Sequence, residues 1–210
     1  MRPSARDLRF IAYLQRLASG GPRGALADLA AELGKRPGTN PRSVRWLARW
    51  TVHVSQAEVA RHHLIAALFA AHPAGAPEGN LGLTMAQIAL RRRLTPSLER
   101  RFVALLEADA EDVGEHLRHI VYLARAADVP LHWAQLLADL RCWDDPLRRV
   151  QAKWARSFWA TEGCQPEAHD PVPQQVRPQA AAADGGNGGE MRDVSGTALA
   201  AELCTLVSEP

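Results

Sequence analysis

The sequence predicts an all-α protein: a two-part helical bundle of about nine helices followed by a disordered C-terminal tail. Three observations lead there. In residues 1–163 leucine and alanine recur at three- and four-residue spacing, while alternating β-branched runs and Asn-Gly hairpin signals are missing. After Gly163 the composition turns to proline, glycine and alanine, with few large apolar residues and no sustained period. At 210 residues and 47% hydrophobic, the chain can bury one or two ordinary cores without disulfide staples.

The spacing predicts helices at 5–18, 23–33, 42–50, 56–71, 84–93, 96–108, 112–127, 131–142 and 146–161. Gly34 closes the second. The fourth opens at Ser55-Gln56-Ala57-Glu58, the spacing at which a hydroxyl and a carboxylate each satisfy the other residue's backbone N–H. Thr95-Pro96 opens the sixth, a cap residue followed by a proline whose missing N–H is harmless at the first helical position. In the seventh, Val113, Leu117, Ile120 and Ala124 face inward while Arg118 and Arg125 stack on one flank. Trp133 lies with Leu136, Leu137 and Leu140 on the eighth. On the ninth, Leu147, Val150, Trp154 and Phe158 form an apolar stripe, and Arg149, Lys153 and Arg156 fall within an arc of about 60° opposite it.

The loop from Pro73 to Gly82, rich in proline and glycine, is the expected joint between an N-terminal half (1–80) and a C-terminal half (81–163). Residues 164–210 are the tail, in which Thr197 to Val207 is the one segment with helical character.

A net charge of +2 hides an asymmetry: residues 1–163 carry +7 and residues 164–210 carry −5. Of 25 basic residues only Lys35 and Lys153 are lysines. The runs Arg91-Arg92-Arg93 and Arg100-Arg101 bracket Thr95-Pro96, so five guanidiniums crowd one interhelical turn. Guanidinium forks match phosphate oxygens, and the phosphate backbone carries no sequence information. The stripes therefore predict salt-sensitive, sequence-tolerant nucleic-acid binding through Arg118, Arg125, Arg149, Lys153 and Arg156, with Arg100 and Arg101 beside them. The competing reading of each stripe is a solvated helix face.

Aromatic and histidine residues offer other chemistry. Trp46, Trp50, Trp133, Trp143, Trp154 and Trp159 could stack on unpaired bases, but Trp133 and Trp154 lie on apolar stripes and read as core, whereas Trp159 leans outward toward Arg148. Among eight histidines, His116 and His119 share a helix face and His62 or His63 could approach from a neighbour, giving a metal-dependent hydrolase as one rival. Its constellation is incomplete, since Leu64 follows His62-His63 where an acid is needed. Asp139, Asp144 and Asp145 resemble paired carboxylates near Trp143, although Asp144 or Asp145 more simply caps the last helix. No phosphate-binding glycine loop or nucleophile elbow is present. The expectation is a protein that is not an enzyme and holds no metal or cofactor. The other rival is a sequence-specific helix-turn-helix DNA reader using the segment from Arg42 to Trp50.

Cys142, Cys164 and Cys204 form no CxxC pair, no charged-then-apolar leader opens the chain, and no apolar run approaches the roughly 20 residues of a membrane helix. A cytoplasmic location is expected.

From Ser97 onward the pieces ERRFVALL (Glu99 to Leu106), HLRHIVYLAR (His116 to Arg125), HWAQLLADL with the following Trp143, and the closing WARSFW stand in an order that resembles the CasB small-subunit family of the type I-E CRISPR Cascade. The front of the chain is similar in layout, with GALADLAAELGKRPG, HHLIAALFAAHP and GNLG, so the resemblance covers about residues 5 to 162. Leu29-Ala30-Ala31 stands where that family commonly carries a basic pair, leaving Lys35 and Arg36 nearby. His132 stands where an acid often precedes the tryptophan. The resemblance implies a non-catalytic subunit lying as two head-to-tail copies along the guide-RNA-bearing backbone, in contact with backbone and large subunits. It also implies that the subunit steadies guide RNA and target DNA, including the displaced strand, and that cleavage belongs to a separately recruited protein.

Overall fold

A computed structural model describes residues 2–161; the tail and the segment from Thr197 to Val207 lie outside the described residues. Nine helices and no strand occur among the described residues: α1 (Ala5–Gly20), α2 (Ala25–Ala30), α3 (Pro41–Thr51), α4 (Gln56–Ala71), α5 (Leu81–Arg92), α6 (Pro96–Glu107), α7 (Val113–Ala126), α8 (Trp133–Leu140) and α9 (Arg149–Trp159). The all-α expectation holds.

Most starts are set by side chains that accept the orphan N–H groups of a first turn. Asn40 caps α3, Asn80 caps α5 and Thr95 caps α6. The reciprocal capping box expected at Ser55 and Glu58 is found instead at Ser4 and Asp7, where Asp7 Oδ2 accepts the Ser4 N–H at 2.8 Å and Ser4 Oγ accepts the Asp7 N–H at 3.2 Å. Ser55 still caps α4, but Glu58 turns its carboxylate elsewhere.

Three boundaries differ from expectation for physical reasons, the first being the start of α5 at Leu81 rather than 84, set by Asn80 accepting the Leu83 N–H. Residues after Ala30 tighten into turns, with Glu32 N–H on the Leu29 carbonyl and Leu33 N–H on that of Ala30. This turns Glu32 inward, where it meets His63 Nδ1 at 2.9 Å and accepts the Gly38 N–H. Gly34, at φ 77°, therefore closes a turn rather than the helix itself. At the other end Arg148 adopts a left-handed conformation, φ 46°, so α9 starts at Arg149. Leu147 then falls outside the helix and is 73% exposed, which corrects its expected place on the inward stripe.

The core centres on α4, whose Ile65, Ala66, Leu68 and Phe69 are completely buried; α1, α2, α3, α7 and α8 pack around it. α5 lies against α9 so closely that a Cβ at Gly82 would overlap the Trp154 backbone. α6 packs on α7. The other residues expected inside on α7, α8 and α9 are buried as read.

Arg141, at the C-terminal end of α8, ties the N-terminal turns of α1 and α4 together. Its Nη1 donates to Asp7 Oδ2 at 2.7 Å, and its Nε and Nη2 donate to Glu58 Oε1 at 3.0 and 2.5 Å. Asp7 is fully buried. Burial pushes the Asp7 and Glu58 pKa values up, but the hydrogen bonds and charge of Arg141, joined by the Ser4 bonds at Asp7 and by His62 and Arg61 at Glu58, together outweigh it, and both stay below their ordinary values. Beside the clamp, His62 is buried edge-on to Phe10, with Nδ1 on the Glu58 carbonyl at 2.8 Å. Burial lowers its pKa despite that carbonyl and the Glu58 carboxylate, and Arg141 and Arg6 lower it further.

Replacing Arg141 by methionine leaves Asp7 buried without its counter-ion, and it is expected to destabilise the fold by about 2–4 kcal/mol. In thermal unfolding that corresponds to a drop of about 5–15 °C; an unchanged midpoint would show that the clamp contributes nothing. Because the folded His62 resists a proton that the unfolded chain accepts, stability should begin to fall as pH drops below its ordinary 6.5. The depressed carboxylates add a second loss only lower, as pH falls beneath their ordinary 3.8 and 4.5. Denaturant titrations of His62→Asn across pH 7 to 3 should lack the upper limb and keep the lower one.

Candidate nucleic-acid interface

The structure distributes the arginines chosen from sequence over three surfaces. The first is the outer face of α9. Helical spacing brings Arg149, Lys153 and Arg156 together, and with Cys142, Asp145 and Val150 they line a groove of about 610 Å³. Arg149 is held at its base: Nε meets Asp145 Oδ2 at 2.5 Å and Nη2 meets Oδ1 at 3.3 Å. That hydrogen bond lowers the Asp145 pKa and raises that of Arg149. Asp145 also accepts the Leu147 N–H, so it organises the approach to α9 while holding the guanidinium in place. The expected cap is not formed, since Arg148 holds the N-cap position of α9 with no side-chain cap bond; Asp145 is a turn residue and a counter-ion, and Asp139, bound to the Trp154 indole at 2.8 Å and the Gln135 amide at 2.7 Å, serves the core.

The second surface lies between α6 and α7. Arg100 and Arg101 share a groove of about 620 Å³ with Ser97, His116, His119 and Tyr122. An adjoining depression adds Arg92 and Arg93 and shares Ser97, Arg101 and Leu123 with it. Four of the five guanidiniums in the sequence runs thus gather here. Arg91 does not: it donates to the carbonyls of Ala127 and Asp128, closing the C-terminal end of α7. Arg148 performs the same service for α6 at the Leu106 carbonyl.

The third is the flank of α7 itself. Arg118 pairs with Glu115 one turn earlier, which raises the guanidinium pKa and lowers that of the carboxylate. It borders a cleft of about 390 Å³ that also meets Lys35, Arg61, Glu111 and Asp144, so its setting is mixed in charge. Arg125 is exposed in the last turn. The stripes read from the sequence thus form separate basic patches.

Other candidates take structural places. The indoles of Trp46, Trp133, Trp143, Trp154 and Trp159 each donate to an oxygen of the protein. Trp159 leans outward only as far as Phe102 and the Glu99 carboxylate on α6. The histidines of the hydrolase rival do not converge: His62 and His63 are buried on α4, whereas His116 and His119 line the α6–α7 groove. No cluster of three or more His, Cys, Asp or Glu side chains suited to a metal occurs among the described residues. On α3, the helix of the DNA-reader rival, Arg45 pairs with Asp28 at 2.9 Å and lies 4.5 Å above the Trp46 ring, while Arg49 lies over Trp50 and Tyr13.

Of the residues lining these grooves, the sequence reading weighed His116 and His119 as metal ligands, noted Arg92 and Arg93 without selecting them, and passed over Tyr122. The signal was available in the α6 and α7 spacings: 97, 100, 101 and 104 on one helix oppose 116, 119 and 123 on the other. No helix among the described residues is long and apolar enough to cross a membrane.

Comparison with known proteins places this geometry in a lineage. Residues 25–159 match the family model described as CRISPR-associated protein Cse2. The CRISPR-associated protein Cse2 of Thermus thermophilus is 33% identical over 165 residues, a span covering 76% of this chain and 93% of that relative. A crystal structure of a Thermus thermophilus protein of the Cse2 family superposes with a TM-score of 0.65 at 32% identity, over 77% of this chain and all of that one. A chain of a CRISPR RNA-guided surveillance complex in a pre-nicking state superposes with a TM-score of 0.65 at 25% identity, over 74% of this chain and 92% of its own.

Proposed function

This chain belongs to the Cse2, or CasB, family of CRISPR-associated proteins, and from that membership we propose that it is the non-catalytic small subunit of a type I-E Cascade surveillance complex. The observation that carries the reading is its likeness, over nearly the full length of the other chain, to a subunit of an RNA-guided surveillance complex. In this role it sits in the cytoplasm against the backbone and large subunits, as a head-to-tail pair, its two helical halves spanning residues 1–80 and 81–163. Its partners are guide RNA and target DNA.

The chemistry asked of it is modest. Exchanging a DNA duplex for an RNA–DNA hybrid is nearly balanced in free energy, so a few phosphate contacts suffice to tip the exchange and hold the displaced strand. Arg149, Lys153 and Arg156 supply such contacts along one helix, Arg100 and Arg101 along another, and Arg118 and Arg125 on the flank of α7. None of these reads a base edge, so binding is sequence-tolerant. The Asp145 carboxylate competes with phosphate for Arg149 and keeps the free protein's grip weak.

Purification of the tagged chain from its native cells should recover a multisubunit assembly with repeat-derived guide RNA; recovery of the chain alone, without RNA, would contradict the assignment. For the interface, combined alanine replacement of Arg149, Lys153 and Arg156 should weaken unrelated single strands alike and flatten the salt slope by about 0.7 per lost contact. An unchanged slope would remove α9 from the interface. Asp145→Asn, which keeps an oxygen for the Leu147 N–H but removes the charge, should instead tighten binding several-fold.

A further inference from the structure

Tyr122 is the only aromatic side chain among the large apolar side chains that stand exposed in the described residues, at 44%. Every other large aromatic ring packs inside or against the core. An exposed ring on a well-packed helix forgoes burial that its neighbours have, so its surroundings decide what it serves. On α7 it occupies the stripe of Arg118 and Arg125, four residues after one and three before the other, which sets it about 6 Å along the axis from the first and about 4.5 Å from the second. Its other side opens on the α6–α7 groove, with Arg100, Arg101 and His119. The acid closest along this stripe, Glu115, is already paired with Arg118.

An aromatic face between cationic groups on both sides suits one ligand chemistry in particular. A nucleotide in a single strand offers a flat base to stack and a phosphate before and after it, whereas in a duplex the base faces are covered by their neighbours. We propose that Tyr122 is a stacking platform for one unpaired base, with Arg118 and Arg125 along the helix and Arg100 and Arg101 across the groove taking the flanking phosphates. The inference rests on the nucleic-acid reading above and deepens it: the arginines supply attraction to any backbone, and Tyr122 supplies preference for an unpaired strand over a duplex.

The test uses the full chain with a labelled single-stranded DNA, the same strand carrying abasic positions, and the corresponding duplex, followed by fluorescence anisotropy at low salt. Tyr122→Leu should weaken the single strand about tenfold, leave the duplex within twofold, and keep the unfolding midpoint. Tyr122→Phe should retain wild-type affinity. The abasic strand should bind the wild type as weakly as the intact strand binds Tyr122→Leu. Equal losses on strand and duplex, or no loss on either, would overturn the stacking role while leaving the arginine interface standing. Failure of the wild-type chain to bind any of the three would overturn both.

Discussion

A single guanidinium holds the ends of three helices. Arg141 closes α8 and reaches back across the chain to the first turns of α1 and α4, where Asp7 and Glu58 meet it. Each carboxylate sits where a helix N-terminus already favours negative charge, and the cation sits where a C-terminus favours positive charge. The clamp thereby fixes α4 lengthwise, and α4 is the element around which the hydrophobic core forms. Glu32 with His63, and His62 against Phe10, extend the buried polar layer from the same helix. A histidine whose pKa is lowered by burial beside this clamp makes the fold's acid sensitivity begin above the carboxylate range.

The division of labour among charges follows from this frame. Asp7 and Glu58 are drawn inward to Arg141, and Asp139 to the Trp154 indole, so these acids are unavailable to neutralise the surface. Some arginines are likewise used internally: Arg91 and Arg148 close helix ends, and Arg45 and Arg49 lie on aromatic rings. Exposed arginines remain on α1, as Arg9 and Arg16, as well as on α6, α7 and α9, where Arg100, Arg101, Arg125, Arg149 and Arg156 stand at the surface. Where an acid does stay at those surfaces, as Asp145 and Glu115 do, it is one turn from the arginine it restrains. The result is a set of basic patches, which is consistent with the proposed role of holding nucleic acid within an assembly.

The helical periodicity made the fold legible because burial repeats along each helix: the inward residues of α7 and α8 are those the spacing selected, and α4 begins and ends as read. The failures are local and physical. Leu147 fits an apolar stripe on a helical wheel, but the left-handed turn at Arg148 starts the helix two residues too late to include it. Glu58 has capping-box spacing yet is claimed by an arginine 83 residues away, a contact no local pattern encodes. The same blindness to tertiary partners hides which arginines cap helices and which stay free. Tyr122 escaped notice because one tyrosine on a hydrophobic-looking helix carries no signal until its neighbours across the groove are known. His132 illustrates the converse: a departure visible in sequence leaves α8 without a side-chain cap, its ring instead approaching the Gly79 carbonyl.

We propose that the exposed basic faces of α6, α7 and α9 lie against nucleic acid in an assembled complex. The most direct measurement is photocrosslinking of a target-bound assembly carrying a photoreactive displaced strand, with the adducts on this chain located by mass spectrometry. Adducts are expected in peptides spanning residues 96–126 and 149–159. Adducts confined to α3, or their absence from this chain in a complex that retains it, would contradict the proposal.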